Sequence, residues 1–177
     1  GYDFANAVAV DSNGAAYVGG TTDSLDFFTG GRQGPSGGED GFIAKIDSAG
    51  SVSYFTYIGG TGTDQVNGVA VDGSFRVYAV GNTNSSNLVK VSPIRSYTSS
   101  TDAFVIRLNA DGTSQDWGTY WGGSFTESGL GIALDSSNAV YFTGSSTSLN
   151  FPVLNGATGN NGGRDAYVAK INSAGNA

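Results

Sequence analysis

The stretch Ala7-Val8-Ala9-Val10-Asp11 returns as Gly68-Val69-Ala70-Val71-Asp72 and again as Gly131-Ile132-Ala133-Leu134-Asp135, so its aspartate recurs at steps of 61 and 63 residues. A second phrase keeps the same step. Asp40-Gly-Phe-Ile-Ala-Lys45-Ile-Asp-Ser-Ala-Gly50 reappears as Asp102-Ala-Phe-Val-Ile-Arg107-Leu-Asn-Ala-Asp-Gly112 and as Asp165-Ala-Tyr-Val-Ala-Lys170-Ile-Asn-Ser-Ala-Gly175. A fixed period of this size marks a repeat architecture, in which a unit cannot bury its own apolar surface and must stack on its neighbours. Three units follow: 1–64, 65–127 and 128–177.

Within each unit the apolar residues come in short runs bounded by Gly, Asp, Asn and Ser, which is strand punctuation and not helical periodicity. The first unit offers runs at 5–10, 15–20, 41–46 and 52–58, and the second at 67–71, 76–80, 103–108 and 116–121. The third offers three, at 130–134, 139–143 and 166–171. Tight turns join them. Asp11-Ser-Asn-Gly14 and Asp47-Ser-Ala-Gly50 place Asx first, where its side chain accepts a backbone hydrogen bond, and Gly fourth, where positive φ costs nothing. Each unit therefore reads as two hairpins joined by a longer link of about twenty residues, the spacing seen at 21–39, 82–101 and 145–164.

A four-stranded antiparallel meander repeated about an axis is a propeller blade, and the small residues Ala7, Ala9, Gly68, Ala70, Gly131 and Ala133 suit an innermost strand where blades converge. The fold expected is all-β, with three four-stranded blades of which the third lacks its outermost strand. An open β-sandwich and a β-solenoid are the competing arrangements. Three blades cannot close a ring of the usual four to eight, so the units form a partial propeller or part of a larger one.

Composition narrows the chemistry. The chain has 177 residues, 29 of them Gly, with 38% apolar and only 13% charged side chains. A net charge of −7 argues against a surface that tracks phosphates, so nucleic acid is not an expected partner. Neither Cys nor His is present, which removes disulfides, thiol catalysis and the commonest general base. No apolar run is long enough to cross a bilayer as a helix. The absence of Met suggests a processed or excised piece of a longer polypeptide.

The succession Val8-Ala-Val-Asp-Ser-Asn-Gly14 with Tyr17-Val-Gly19, then an Asn/Asp-Phe-Pro-like element (Asp26-Phe27-Phe28; Asn150-Phe151-Pro152), then the Asp40 phrase, then Tyr57-Ile-Gly-Gly60 resembles the bacterial SBBP beta-propeller repeat. The likeness extends over almost the whole chain. It implies an exported or cell-surface bacterial protein with a propeller used as scaffold or binding platform, and it brings no catalytic residues. The second unit departs from the pattern at two places. Asn87-Leu88-Val89 stands where Asn/Asp-Phe-Pro is expected, and Asp72-Gly-Ser-Phe75 lacks the terminal turn glycine.

Two sets of residues invite a functional reading. Lys45, Arg107 and Lys170 share one repeat position, and a charge between packed sheets needs a partner, for which Asp11, Asp72 and Asp135 are the candidates in structural ion pairs. The second set is a candidate ligand rim on the long loops and inter-blade turns: Asp26, Phe27, Phe28, Arg32, Asp64, Glu127, Asn150, Phe151 and Arg164. Aromatics beside carboxylates and amides suit sugar binding, against the alternative that Phe27 and Phe151 fold inward. Asp40, Asp102 and Asp165 read as caps of loop amides. They leave calcium open as a ligand, but no Asp-x-Asp-x-Asp-Gly loop supports it, and no cofactor is expected. Gly59-Gly60 and Gly122-Gly123 open inter-blade turns; they lack the helix and Lys of a phosphate cradle.

These observations lead to a noncatalytic extracellular or cell-surface scaffold or adhesion module. Its expected partner is other polypeptide, either further blades of the same chain or copies of itself. A carbohydrate-binding propeller is the alternative, with a polysaccharide-cleaving enzyme a distant third.

Overall fold

The structure is a computed structural model and describes residues 1–26, 37–91, 94–98, 100–152 and 162–174. Among the described residues are eleven strands: β1 (Asp3–Val10), β2 (Ala16–Thr22), β3 (Asp40–Ile46), β4 (Val52–Ile58), β5 (Asp64–Val71), β6 (Val77–Thr83), β7 (Asp102–Leu108), β8 (Gln115–Trp121), β9 (Glu127–Leu134), β10 (Val140–Ser146) and β11 (Asp165–Ile171). They form three separate antiparallel meanders in the orders β1-β2-β3-β4, β5-β6-β7-β8 and β9-β10-β11. These are blades 1, 2 and 3. Asp64 and Glu127 each open an inner strand, so the blade boundaries fall one residue before the 64/65 and 127/128 junctions suggested by the repeats.

The first strands lie side by side at the centre. β5 packs on β1 and β2, and β9 packs on β5 and β6, which is the fanned arrangement of a propeller. Two cores result. Tyr17, Ile43, Tyr54 and Ile58 of blade 1 meet Val66, Val77, Phe104 and Leu108 of blade 2. Tyr78, Val80, Val105 and Trp121 of blade 2 meet Val140, Phe142 and Ile171 of blade 3. Because a strand sends alternate side chains to opposite faces, blade 2 buries both of its faces, and its strands are nearly continuous apolar runs.

Turn chemistry survives the loss of glycine in the second unit. The fourth turn position has positive φ in all three units: Gly14 at 80°, Phe75 at 63° and Asn138 at 60°. In each turn the leading aspartate caps the same amides, as Asp11 Oδ1 does for Asn13 and Ala15 and Asp72 Oδ1 for Ser74 and Arg76. The other departure is equally silent, since Leu88 is fully buried against the first core just as Phe151 is against the second.

Each inner strand carries a bulge at one repeat position, occupied by Asn6, Asn67 and Leu130. A bulge re-aims the extra side chain out of the ladder. Asn6 Nδ2 donates to the carbonyl of Val66 at 2.9 Å, and Asn67 Nδ2 donates to that of Gly129 at 2.9 Å. Each amide thus ties its blade to the inner strand of the next.

Candidate functional site

The rim is built where the inter-blade turns meet the long loops. Asn87 Oδ1 accepts from the amide of Thr61 at 3.0 Å, and Asn150 Oδ1 accepts from that of Ser124 at 2.9 Å. Loop and turn are thereby fixed to each other at both junctions. Asp26 holds the equivalent position in the first unit and is exposed. Phe27, Phe28 and Arg32 lie outside the described residues.

Beneath the rim the two acidic candidates are sealed. Asp64 accepts from the hydroxyls of Thr83 and Ser85 and from the amide of Gly60, and Glu127 accepts from the hydroxyl of Ser146 and the amide of Gly123. Neither exposes surface to solvent. The expectation that they line a ligand surface is therefore corrected: hydroxyl and amide donors from their own blade and the preceding turn occupy them. Asp3 repeats the pattern in blade 1 with Thr22 and Ser24. Burial pushes the Asp64 carboxyl above its ordinary range, against the bonds from Thr83, Gly60 and Ser85. It pushes Asp102 up as well, where Thr98 donates both amide and hydroxyl and Glu127 lies near.

The paired glycines follow from this packing. A Cβ on Gly122 would stand 2.2 Å from Asp102 Oδ1 and 2.6 Å from Glu127 Oε2, and one on Gly59 would stand 1.7 Å from Asp40 Oδ1. The first glycine of each turn leaves room for a carboxylate, and the second offers its amide to one. Sequence reasoning missed this arrangement, although the recurring Thr/Ser-x-Ser at 22–24, 83–85 and 146–148 was its visible signal.

Phe151 folds inward, with its ring 4.6 Å from that of Tyr167, so it presents no platform to a sugar. Arg164 is exposed and, among the described residues, reaches the Ser145 hydroxyl at 3.4 Å. An acid and a base with access to a common substrate are not found among the described residues of this rim. Nor is any group of three or more potential metal ligands found among them.

At the opposite end of the blades the cations find partners, but not in one uniform way. Lys45 Nζ lies 4.0 Å from Asp11, and Lys170 Nζ lies 3.7 Å from Asp135. In blade 2 the candidate aspartate of the same unit, Asp72, does not pair with Arg107. Asp72 is taken by Arg76, 2.8 Å away, which stands where the other units have Ala15 and Ala139. Arg107 turns instead to Asp116 at 3.0 Å, a residue presented by the bulge in β8.

The cations also cross the junctions. Lys45 lies 5.5 Å from the ring of Phe75 in the next blade, and Arg107 donates to the carbonyl of Ser173 in blade 3 at 3.4 Å. They belong to a face that recurs three times: Tyr17, Ile43 and Lys45; Tyr78, Val105 and Arg107; Tyr141, Val168 and Lys170. The first two copies lie under the next blade, and Ile43 and Val105 are both fully buried. The third copy is open, with Val168 74% and Tyr141 37% exposed.

Three fanned meanders with one repeated face define a β-propeller repeat protein. The chain is similar to the SBBP repeat over part of its length: the family model described as Beta-propeller repeat matches residues 1–28 and 53–88, covering the first hairpin of blade 1 and the run from β4 through β6 to Leu88. No curated protein matches the chain.

Proposed function

We propose that this chain is a noncatalytic propeller scaffold of the bacterial cell surface or exterior, and that contact with other polypeptide is its role. One observation carries the reading: blade 3 exposes Tyr141, Val168 and Lys170, the residue types that blades 1 and 2 bury beneath a neighbouring blade. An apolar sheet face in water favours covering, at about 25 cal/mol for each Å² removed from solvent. Asp64, Glu127 and Phe151, three of the residues a glycan reading would use, are enclosed, which weighs against that alternative.

The test is a photo-reactive phenylalanine analogue placed at position 168 or, as control, at 164, in the protein as its own cells make it. Covalent capture of polypeptide at 168 well above 164 is expected. Absence of capture at 168, or glycan binding that is lost on Asn150→Ala, would overturn the reading.

A further inference from the structure

We infer that the junction between blades 2 and 3 is a pH-sensitive latch, closed by a proton that Asp102 carries and shares, through the Thr98 hydroxyl, with the turn that Glu127 holds. The latch grips in acid and slackens as pH rises. It lies inside the chain and is independent of the contact role proposed above.

One hydroxyl hydrogen stands before two acceptors. Thr98 Oγ1 lies 2.6 Å from the carbonyl oxygen of Gly123 and 2.8 Å from Asp102 Oδ1, and both are hydrogen-bond distances. A hydroxyl has a single proton to give. Given to an ionised Asp102, it leaves the closer contact, at Gly123, with no hydrogen between two oxygens. Given to Gly123, it leaves Asp102 Oδ1 to supply the second hydrogen, which a protonated carboxyl does. The other Asp102 oxygen accepts from the Thr98 amide at 2.8 Å. Beyond the carbonyl, the amide of Gly123 donates to Glu127 Oε2 at 2.8 Å, and Ser146 donates to Oε1 at 2.7 Å. Asp102, Thr98, Gly123 and Glu127 thus form one line of bonds from the first residue of β7 to the first residue of β9, and only the protonated carboxyl completes it.

The surroundings favour that form. Both acids are fully buried, and the position of a Cβ on Gly122, 2.2 Å from Asp102 Oδ1 and 2.6 Å from Glu127 Oε2, shows the two oxygens facing each other across the glycine. Burial pushes the Asp102 carboxyl above its ordinary 3.8, against the bonds from Thr98, and Glu127 adds to the rise. Among the described residues neither acid has an ion pair: Arg95, on the loop of Thr98, lies 4.6 Å from the ring of Trp121, and Lys90 acts on Asp64. The other titratable neighbours are Tyr97 and Tyr120 beside Asp102, Tyr167 beside Glu127, and Asp64, which acts on the first two rings. Burial raises all three phenols, so they stay neutral. A carboxyl raised by folding contributes stability that is complete below its ordinary value and is lost as pH rises through the folded one. When the proton leaves for water, Thr98 can serve Asp102 or Gly123 but not both, and a second charge stands opposite Glu127.

Carbon-13 NMR titration of the Asp102 carboxyl, read together with amide hydrogen exchange in the full chain, tests this. The wild-type midpoint should lie above 3.8 and move down toward it in Glu127→Gln. Protection factors of the Gly123 and Glu127 amides, corrected for the intrinsic rate at each pH, should fall by up to about tenfold per pH unit between 3.8 and that midpoint and level off above it. Asp102→Asn, whose side-chain amide keeps its hydrogens at every pH, should hold its protection level across the same range and match or exceed the wild type at neutral pH. A midpoint at or below 3.8, a midpoint unmoved by Glu127→Gln, or a Gly123 amide less protected in Asp102→Asn than in the wild type at neutral pH would overturn the inference. Should either variant fail to fold, the wild-type midpoint decides alone.

Discussion

Blades 2 and 3 are built from the same phrases, yet one is sealed on both faces and the other on one. Val105 and Val168 share a repeat position on the same face, and blade 3 packed over the first, together with β8 beside it, separates fully buried from 74% exposed. Residue type at these positions thus records what a face is made to meet, while exposure records whether it has met it. The repeat supplies its own control. Any property that depends on the covering blade should differ between the two copies, and any property local to a hairpin should not.

The largest difference is expected for truncation at this pair. Val105→Ala removes two methyl groups from a filled junction and should lower the unfolding free energy by about 2 kcal/mol. Val168→Ala should change it by no more than about 0.5 kcal/mol. Urea denaturation of both variants gives the comparison directly. Equal losses would mean that the two faces are not in the different states described here.

Next come the turn aspartates. Burial tends to raise the Asp72 carboxyl, but the amides of Arg76 and Ser74, the Arg76 guanidinium and the Tyr78 hydroxyl outweigh it and hold the group below its ordinary 3.8. Asp135 is also lowered, chiefly by the amide of Ala139, and its side chain is one-third exposed. A carboxyl lowered by folding stabilises above its unfolded value and loses that contribution as pH falls through the folded one. Asp72→Asn should therefore cost about 2 kcal/mol at neutral pH, with the deficit shrinking below pH 3.8 as the wild-type carboxylate is protonated. Asp135→Asn should cost less. Carboxyl titration by NMR sharpens the contrast, because molar salt should weaken the depression at the exposed Asp135 and spare the enclosed Asp72.

The meanders were legible in the sequence because their causes are local. Asx first and Gly fourth specify a turn within four residues, and short apolar runs specify the strands between turns, so all eleven strands were located to within a few residues of their ends. The blade-to-blade features were not local and were read less well. Asp64 and Glu127 looked like surface acids because nothing near them in sequence announces the hydroxyls of Thr83, Ser85 and Ser146, some twenty residues on, that enclose them. For Arg107 the repeat offers Asp11, Asp72 and Asp135 as candidate partners without choosing among them. A bulge that presents Asp116 and a single Arg76 broke the symmetry of the repeat, and neither is visible in the period.

The smallest expected effect concerns a hairpin and not a junction. Phe75 and Asn138 occupy the turn position that Gly14 fills in blade 1, all three with φ between 60° and 80°. A β-carbon is disfavoured there by about 1–2 kcal/mol, whereas asparagine tolerates the region and glycine enters it freely. Phe75→Gly releases that strain and gives back part of the gain in two ways: a more flexible unfolded chain and the loss of the ring that lies 5.5 Å from Lys45. A net stabilisation of about 0.5 kcal/mol follows, and Asn138→Gly should yield less than half of it. Adding Lys45→Ala to both the wild type and Phe75→Gly separates the two contributions. If the ring–lysine contact offsets part of the strain, the glycine gain grows once the lysine is absent; a gain that stays constant would show that strain alone sets it and that the ring of Phe75 contributes nothing through Lys45 across the junction between blades 1 and 2.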